Sequence, residues 1–315
     1  MRIRRRIFLL LILCCLYGLF FNTKWINDLY NVYIQIPTSQ TQRKENVKLV
    51  CEQYNKTFNA SYRLTRFVSR QLYVEHTHKL IYCEVPKVGC TNWKRIILFL
   101  FNKSLEAAAE ELEHFDVHRH ASLVRLSSYS HTKQEELLKN YTKVMFVRDP
   151  LQRLVSAYRD KFLHQEDVYY YKTIGRYIKT LTRKNVNSTE KITFPEFARY
   201  IIKEDVVSRD THWKPMHELC DPCNIQYDIV GKFETMKQDS DFVLRTIHAP
   251  KNLHYPSIRH YPNESRTNAM ISQDYFSHLN PKLFKDLMNV YKVDFSMFQY
   301  HPATSLRDIK SPKSM

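Results

Sequence analysis

Glycine is far below its usual share in this 315-residue chain: Gly18, Gly89, Gly175 and Gly231 are all there is, where average usage of about 7% would give roughly twenty. Neither GxGxxG nor GxxxxGK[ST] occurs, which excludes the glycine-rich dinucleotide and triphosphate loops. Acidic residues are also short, 32 Asp plus Glu against 48 Lys plus Arg, for a formal net charge of +16. Arg2, Arg4, Arg5 and Arg6 supply four of these charges, leaving about +12 on the body. Such an excess favours a polyanionic partner, whether nucleic acid, anionic lipid or an acidic polysaccharide. Cys220-Asp-Pro-Cys223 has no second Cys-x-x-Cys and no suitably spaced Cys/His pair, so a zinc site is left incomplete. There is no internal repeat and no low-complexity tract.

What is present begins with the N-terminus. Ile7 to Phe21 carries no charge, follows the Arg2–Arg6 cluster, and has no small-x-small cleavage site after Gly18. The pattern predicts an uncleaved signal anchor over residues 7–21 rather than a cleaved signal peptide. The run falls short of the roughly 20 residues of an average span, but thinner early-secretory membranes and an interfacial Trp25 accommodate it. The positive-inside rule then leaves residues 1–6 cytosolic and the chain from about residue 22 lumenal, a single-pass type II topology. Six N-x-[ST] triplets agree with a lumenal body: Asn55, Asn59, Asn102, Asn140, Asn187 and Asn263. Five cysteines, Cys51, Cys83, Cys90, Cys220 and Cys223, lie beyond the anchor, so an oxidising compartment leaves at least one unpaired. Cys220 and Cys223 read as disulfide cysteines, bonded within the pair or to Cys51. Residues 22–60 are polar and weakly periodic and read as a stem; 61–305 form the body and 306–315 a tail.

Within the body, apolar strands alternate with helices. Leu80 to Val85, Lys143 to Val147 and Tyr227 to Gly231 read as strands. Helices are predicted over Trp93–Phe101, Ser104–Glu113, Lys133–Asn140, Leu151–Phe162, Tyr169–Thr182, Thr235–Ile247 and Pro281–Val290, with a loop over His114–His131. Thr193-Phe-Pro-Glu196 is a capping box opening a helix to about Glu204. This alternation predicts an α/β fold, a parallel sheet flanked by helices on both faces, with ligands beyond the carboxyl ends of the strands.

The segment from Pro86 to Thr91 joins the first strand to its helix and has the makings of a phosphate cradle. Helix N-terminal N–H groups and the helix dipole favour an anion there. Lys87 adds a full charge, Gly89 permits a positive φ or a close approach, and the Thr91 hydroxyl can bond a phosphoryl oxygen. Arg148 ends the next strand and Ser156 lies two turns into the following helix, so a second phosphate site sits at the same sheet edge.

Pro86-Lys-Val-Gly-Cys-Thr-Asn-Trp-Lys94 resembles the 5′-phosphosulfate loop of sulfotransferases. Phe146-Val-Arg-Asp-Pro-Leu-Gln-Arg-Leu-Val-Ser-Ala-Tyr-Arg-Asp-Lys161 resembles their 3′-phosphate site, in the form found in Golgi carbohydrate sulfotransferases that make chondroitin, dermatan and GalNAc 4-O-sulfates and the glucuronyl 3-O-sulfate epitope. His212-Trp213, Leu219 to Cys223, Tyr227-Asp228, Val230 to Glu234 and Asp294 to Phe298 are similar to the same family, so the resemblance spans about residues 78–300.

The resemblance implies a sulfotransferase-type, P-loop-like core, the donor 3′-phosphoadenosine 5′-phosphosulfate, and transfer of its sulfuryl group to a sugar hydroxyl. A glycan or glycosaminoglycan acceptor takes precedence over nucleic acid. By the same resemblance, Pro86, Lys87, Val88, Gly89, Cys90, Thr91, Asn92 and Trp93 form the 5′ site, and Arg148, Asp149, Pro150 and Ser156 the 3′ site. Lys87 would stabilise charge on the leaving phosphate oxygen, a logic that requires no divalent metal. The acceptor proton needs a base. His118 is the first candidate, with His120 and His212 as alternatives and Glu84 a weaker one. Arg153, Arg159 and Lys161 are expected to steer an acidic polymer. Two other classes stand beside this reading: a phosphoryl-transfer enzyme, which lacks a GK[ST] loop and an evident magnesium carboxylate, and a lumenal glycan binder without turnover.

Overall fold

The computed structural model describes residues 35–54, 64–101, 113–164 and 168–302, together with residues 23, 24, 27 and 30. The chain divides into two units, Met1–Gln42 and Arg43–Met315. In the first, every described residue is helical. Among the described residues no helix is long and apolar enough to cross a membrane; residues 7–21, on which the anchor expectation falls, lie outside them.

The second unit is built on four strands, β1 Leu72–Glu75, β2 Leu80–Cys83, β3 Thr142–Val147 and β4 Ile229–Lys232, in the order β1-β2-β3-β4. β2, β3 and β4 run parallel, in register Tyr82↔Val144 and Phe146↔Gly231. β1 runs antiparallel to β2, with Tyr73 opposite Tyr82. The sheet is therefore mixed rather than all parallel. The reason is the connection: only His76–Lys79 separate β1 from β2, and so short a link can only reverse the chain, whereas a parallel pair needs a crossover of a dozen or more residues. No Gly or Pro marks this turn; Lys79 itself takes the left-handed conformation, φ 52°.

Each parallel strand feeds a helix. After β2 comes Cys90–Phe101, buried on nearly every face, with Trp93 packed between Tyr82 and Phe146 at ring separations of 5.3 and 5.0 Å. After β3 comes Pro150–Tyr158, opened by Asp149, whose carboxylate accepts from Gln152 N at 2.9 Å, and by Pro150 in the first turn. It continues as a π-helical turn, Arg159–Leu163. After β4 comes Met236–Thr246. Gly231 permits the close packing of β4 on β3, since a Cβ there would lie 2.2 Å from Phe146 Cε1. A second core, of Tyr158, Phe162, Phe197, Trp213 and Phe276 among others, gathers the helices remote from the sheet.

The Thr193–Glu196 capping box forms as predicted, with Thr193 N donating to Glu196 Oε2 at 2.8 Å, and the Pro281–Val290 helix has the predicted bounds. The segment 114–131, predicted as loop, holds a helix, His114–Arg119, and a 3₁₀ turn, Leu126–Ser128; both are too short for periodicity to reveal. Residues 104–112 of the predicted Ser104–Glu113 helix lie outside the described residues, as do Asn55, Asn59 and Asn102. Asn140, Asn187 and Asn263 are exposed.

Cys51 bonds Cys223, one of the two pairings the sequence allowed, while Cys220 bonds Cys83 on β2 rather than its Cys-x-x-Cys neighbour. Cys90 is buried and free. The helix Ile36–Gln53 lies in the stretch predicted as stem, yet from Arg43 onward it belongs to the second unit. There Arg43 donates to Val230 O and pairs with Asp239, both at 2.8 Å.

Candidate active site

The carboxyl ends of β2 and β3 open into a cleft of about 1670 Å³. Eleven Lys or Arg side chains line it against five Asp or Glu, so its field favours an anionic ligand. One end is the turn after β2. Val88 N donates to Val85 O at 3.3 Å, and Lys87 and Gly89 both take positive φ, 69° and 77°. Gly89 is required twice over: an added Cβ would sit 2.2 Å from Tyr255 Oη, which itself donates to Gly89 O at 3.3 Å. The turn delivers the chain into the Cys90–Phe101 helix, whose first N–H groups have no intrahelical partners.

Lys87 Nζ lies 3.2 Å from Asp160 Oδ1, and Lys161 Nζ lies 3.1 Å from the other carboxylate oxygen. Burial would raise the Asp160 carboxyl, but these two ammonium groups hold it well below the usual carboxylate range. Burial pulls Lys87 down while Asp160 opposes the shift. Asp160 escaped the sequence reading, although it stands four residues after Ser156, the spacing that puts both on one helical face.

Behind the cradle runs a chain of charge. Glu84 pairs with Lys94 and, at 3.2 Å, with Arg125; Tyr73 Oη donates to it at 3.2 Å. Burial would raise its carboxyl, but Lys94 and Arg125 hold it at about 2. Lys94 is 1% exposed and donates to His118 Nδ1 at 2.7 Å, while His118 Nε2 lies 3.0 Å from Thr91 Oγ1. Burial and the Lys94 ammonium push His118 down to about 4.

At the other end, Arg148 is 3% exposed and lies over the Phe233 ring at 4.1 Å. It donates to Lys87 O at 3.1 Å and to Thr267 O, which ties the two ends together. Its Nε is buried without a partner. Ser156 also lines the cleft. A strap over residues 254–267 crosses the cleft: Asn92 donates to Pro256 O and Ile258 O at 2.8 and 3.1 Å, and Arg159 to Ser265 O and Thr267 Oγ1 at 3.1 and 2.9 Å. No periodicity or motif announced this strap.

The other predicted site residues fall as follows. Pro86, Cys90, Asn92 and His212 line the cleft; Val88, Trp93, Asp149 and Pro150 do not, and serve as packing or as the helix start. His120 is also outside the lining, its Nδ1 accepting from Ser122 N at 3.3 Å. Arg153, expected to steer an acidic polymer, is 1% exposed and donates to Pro86 O, Thr211 O and Lys214 O; it braces the cradle from behind and cannot reach a polymer. Its spacing from Arg148 gave no hint that it points inward. A donor phosphorylated at both ends of a nucleoside fits these residues: a cation and helix start at one end, an unpaired guanidinium nitrogen and a hydroxyl at the other.

Comparison with known proteins agrees. A profile described as "Sulfotransferase family" matches residues 70–301. Carbohydrate sulfotransferase 8 of Mus musculus is 37% identical over 277 residues, 85% of this chain and 65% of that protein. Carbohydrate sulfotransferase 11 of Rattus norvegicus is 34% identical over 301 residues, 91% of this chain and 84% of that protein. Carbohydrate sulfotransferase 14 of Danio rerio is 32% identical over 268 residues, covering 83% and 71%. The chain spans just under two thirds of the length of carbohydrate sulfotransferases 8 and 9. No solved structure matches it.

Proposed function

The chain belongs to the sulfotransferase family, among the carbohydrate sulfotransferases, and from that premise we propose that it transfers a sulfuryl group from 3′-phosphoadenosine 5′-phosphosulfate to the 4-hydroxyl of GalNAc in chondroitin, dermatan or GalNAc-terminated glycans. The observation that carries the transfer is the cleft with a cationic site at each end, joined by the Arg148 bond to Lys87 O. Lys87, Thr91 and the first turn of Cys90–Phe101 hold the 5′ end; Arg148 and Ser156 hold the 3′ end. Bound there, the donor supplies an activated sulfuryl group whose departure leaves negative charge on a phosphate oxygen, and Lys87 is the cation assigned to that charge. Asp160 keeps Lys87 and Lys161 side by side until an anion takes its place. A neutral histidine of the cleft, His118 or His212 of the three sequence candidates, takes the acceptor proton.

The GalNAc 4-hydroxyl is the acceptor the sequence resemblance favours; the glucuronyl 3-hydroxyl is its competitor. We place the protein in the Golgi membrane by an anchor over residues 7–21, with its catalytic unit lumenal. Support comes from the Arg2–Arg6 cluster, from two disulfides that suit an oxidising compartment, and from exposed sequon asparagines at 140, 187 and 263.

The test is incubation of the full chain with labelled donor and a panel of desulfated chondroitin, desulfated dermatan, GalNAc-terminated glycan and glucuronyl-lactosamine. Label on the GalNAc 4-hydroxyl is the expected result. Label on glucuronyl-lactosamine alone moves the assignment to the 3-O position, and binding of glycans with no label on any of them marks an inactive relative.

A further inference from the structure

Three histidines were open as the base, and hydrogen-bond chemistry separates the two that line the cleft. An ammonium group has no lone pair, so Lys94 can only donate to His118 Nδ1. The neutral His118 ring then carries its proton on Nε2, which donates to Thr91 Oγ1. Both nitrogens are spoken for, and neither has a lone pair open to an acceptor hydroxyl. His118 instead orients the Thr91 hydroxyl, through a line that Glu84 anchors by its pairing with Lys94.

His212 has the opposite arrangement. Its Nδ1 lies 2.8 Å from Asp210 Oδ1, and the carboxylate, an acceptor only, fixes the proton on Nδ1. Tyr170 Oη, 2.9 Å from that nitrogen, donates to Asp210 Oδ2 at the same distance, so the carboxylate is held on both oxygens. That leaves the His212 Nε2 lone pair free, on a side chain that lines the cleft and is 24% exposed. A base oriented by a carboxylate on its other nitrogen is the arrangement that nucleophile activation requires.

We propose that His212 is the catalytic base of sulfuryl transfer and Asp210 its positioning residue, an inference that rests on the sulfotransferase reading above. The acceptor oxygen forms a bond to sulfur while its proton passes to His212 Nε2. The bond from sulfur to the donor's phosphate oxygen breaks, and its electron pair stays on that oxygen, beside Lys87. The imidazolium so formed is stabilised by Asp210. The other charged or titratable groups acting on His212 are Lys161 and Asp160 from the π-helical turn, Lys87 from the cradle, His118 from the short helix and Tyr170. Burial and the two ammonium groups keep His212 neutral and able to accept, while Asp210 pulls the other way.

The experiment compares wild type, His212→Gln, Asp210→Asn and His118→Gln in the full chain, measuring kcat and KM for labelled donor from pH 5 to 8. Affinity for 3′-phosphoadenosine 5′-phosphate, measured by calorimetry, reports whether each variant retains a folded cleft. His212→Gln is expected to lose about 10²–10⁴-fold in kcat with bisphosphate affinity intact, the range of a lost general base. Exogenous imidazole should restore part of the rate. Asp210→Asn should move the acidic limb of the kcat profile to lower pH, because the carboxylate that favours the imidazolium is gone. This shift carries the test if His212→Gln does not fold. His118→Gln is expected to raise KM for donor more than it lowers kcat. A His212→Gln enzyme with kcat within about threefold of wild type overturns the proposal, as does an unmoved limb in Asp210→Asn. So does a His118→Gln enzyme that loses kcat alone. Wild type that binds bisphosphate but labels no acceptor fails the sulfotransferase reading instead.

Discussion

His118 shows how much of a residue's chemistry lies beyond its place in the chain. The sequence put it in the segment between the two phosphate motifs, and it does line the cleft. What it can do there depends on Lys94 and Thr91, neither of which a histidine count identifies. The consequence reaches stability. Its folded value of about 4, and about 3 for His114, lie below the ordinary 6.5. The unfolded chain therefore binds protons that the folded chain refuses, and the stabilisation is whole above pH 6.5 and lost as pH falls toward 4. Glu84, at about 2, has an ordinary value of 4.5 and titrates mainly below this window. Thermal melts at pH 7.0 and 4.5 should show a smaller drop in Tm for His118→Asn than for wild type; equal drops contradict the assignment. At Glu84 itself, removal of the carboxylate leaves Lys94, 1% exposed, without its counter-charge. Glu84→Ala should destabilise the fold by about 3–5 kcal/mol in urea titration.

At the scale of elements, the strand-turn-helix units were legible because their signals are local. β-forming apolar runs marked β2 and β3, and Thr193–Glu196 marked a helix start with side chains that do cap it. The cradle was legible for the same reason: a chain this poor in glycine has one at the turn where φ is 77°. Ala at that position meets two separable penalties, about 1–2 kcal/mol for the left-handed backbone and a clash with Tyr255 Oη. Gly89→Ala should lower Tm, and adding Tyr255→Phe should recover the steric part only, read as a non-additive double-mutant cycle. Strict additivity would mean that the two residues do not meet. What stayed hidden were β1, whose hairpin uses no turn residue, and the strap 254–267, which is held over the cleft by Asn92, Arg148 and Arg159 from distant segments. Arg153 was misjudged because a basic residue on a helix carries no sign of which way it faces; three backbone carbonyls decide that.

For the whole molecule, the long-range ties are the disulfides. Cys51–Cys223 and Cys83–Cys220 close separations of 172 and 137 residues, each worth about 5 kcal/mol in the chain-entropy account. Peptide mapping without reductant should recover both linkages and a free Cys90, and reduction should lower Tm steeply; a Cys220–Cys223 peptide contradicts the arrangement. The basic cleft makes a second global forecast: activity on a sulfated or uronic-acid polymer should fall with added salt more steeply than activity on a short neutral glycan. Both properties matter only if the cleft performs sulfuryl transfer through Lys87. The direct measurement is the single-turnover rate of labelled sulfuryl transfer by Lys87→Ala beside wild type, with bisphosphate binding measured on the same samples. A rate reduced about 10²–10³-fold, with the fold and bisphosphate binding retained, is the predicted result. Transfer at the wild-type rate without the Lys87 ammonium contradicts it.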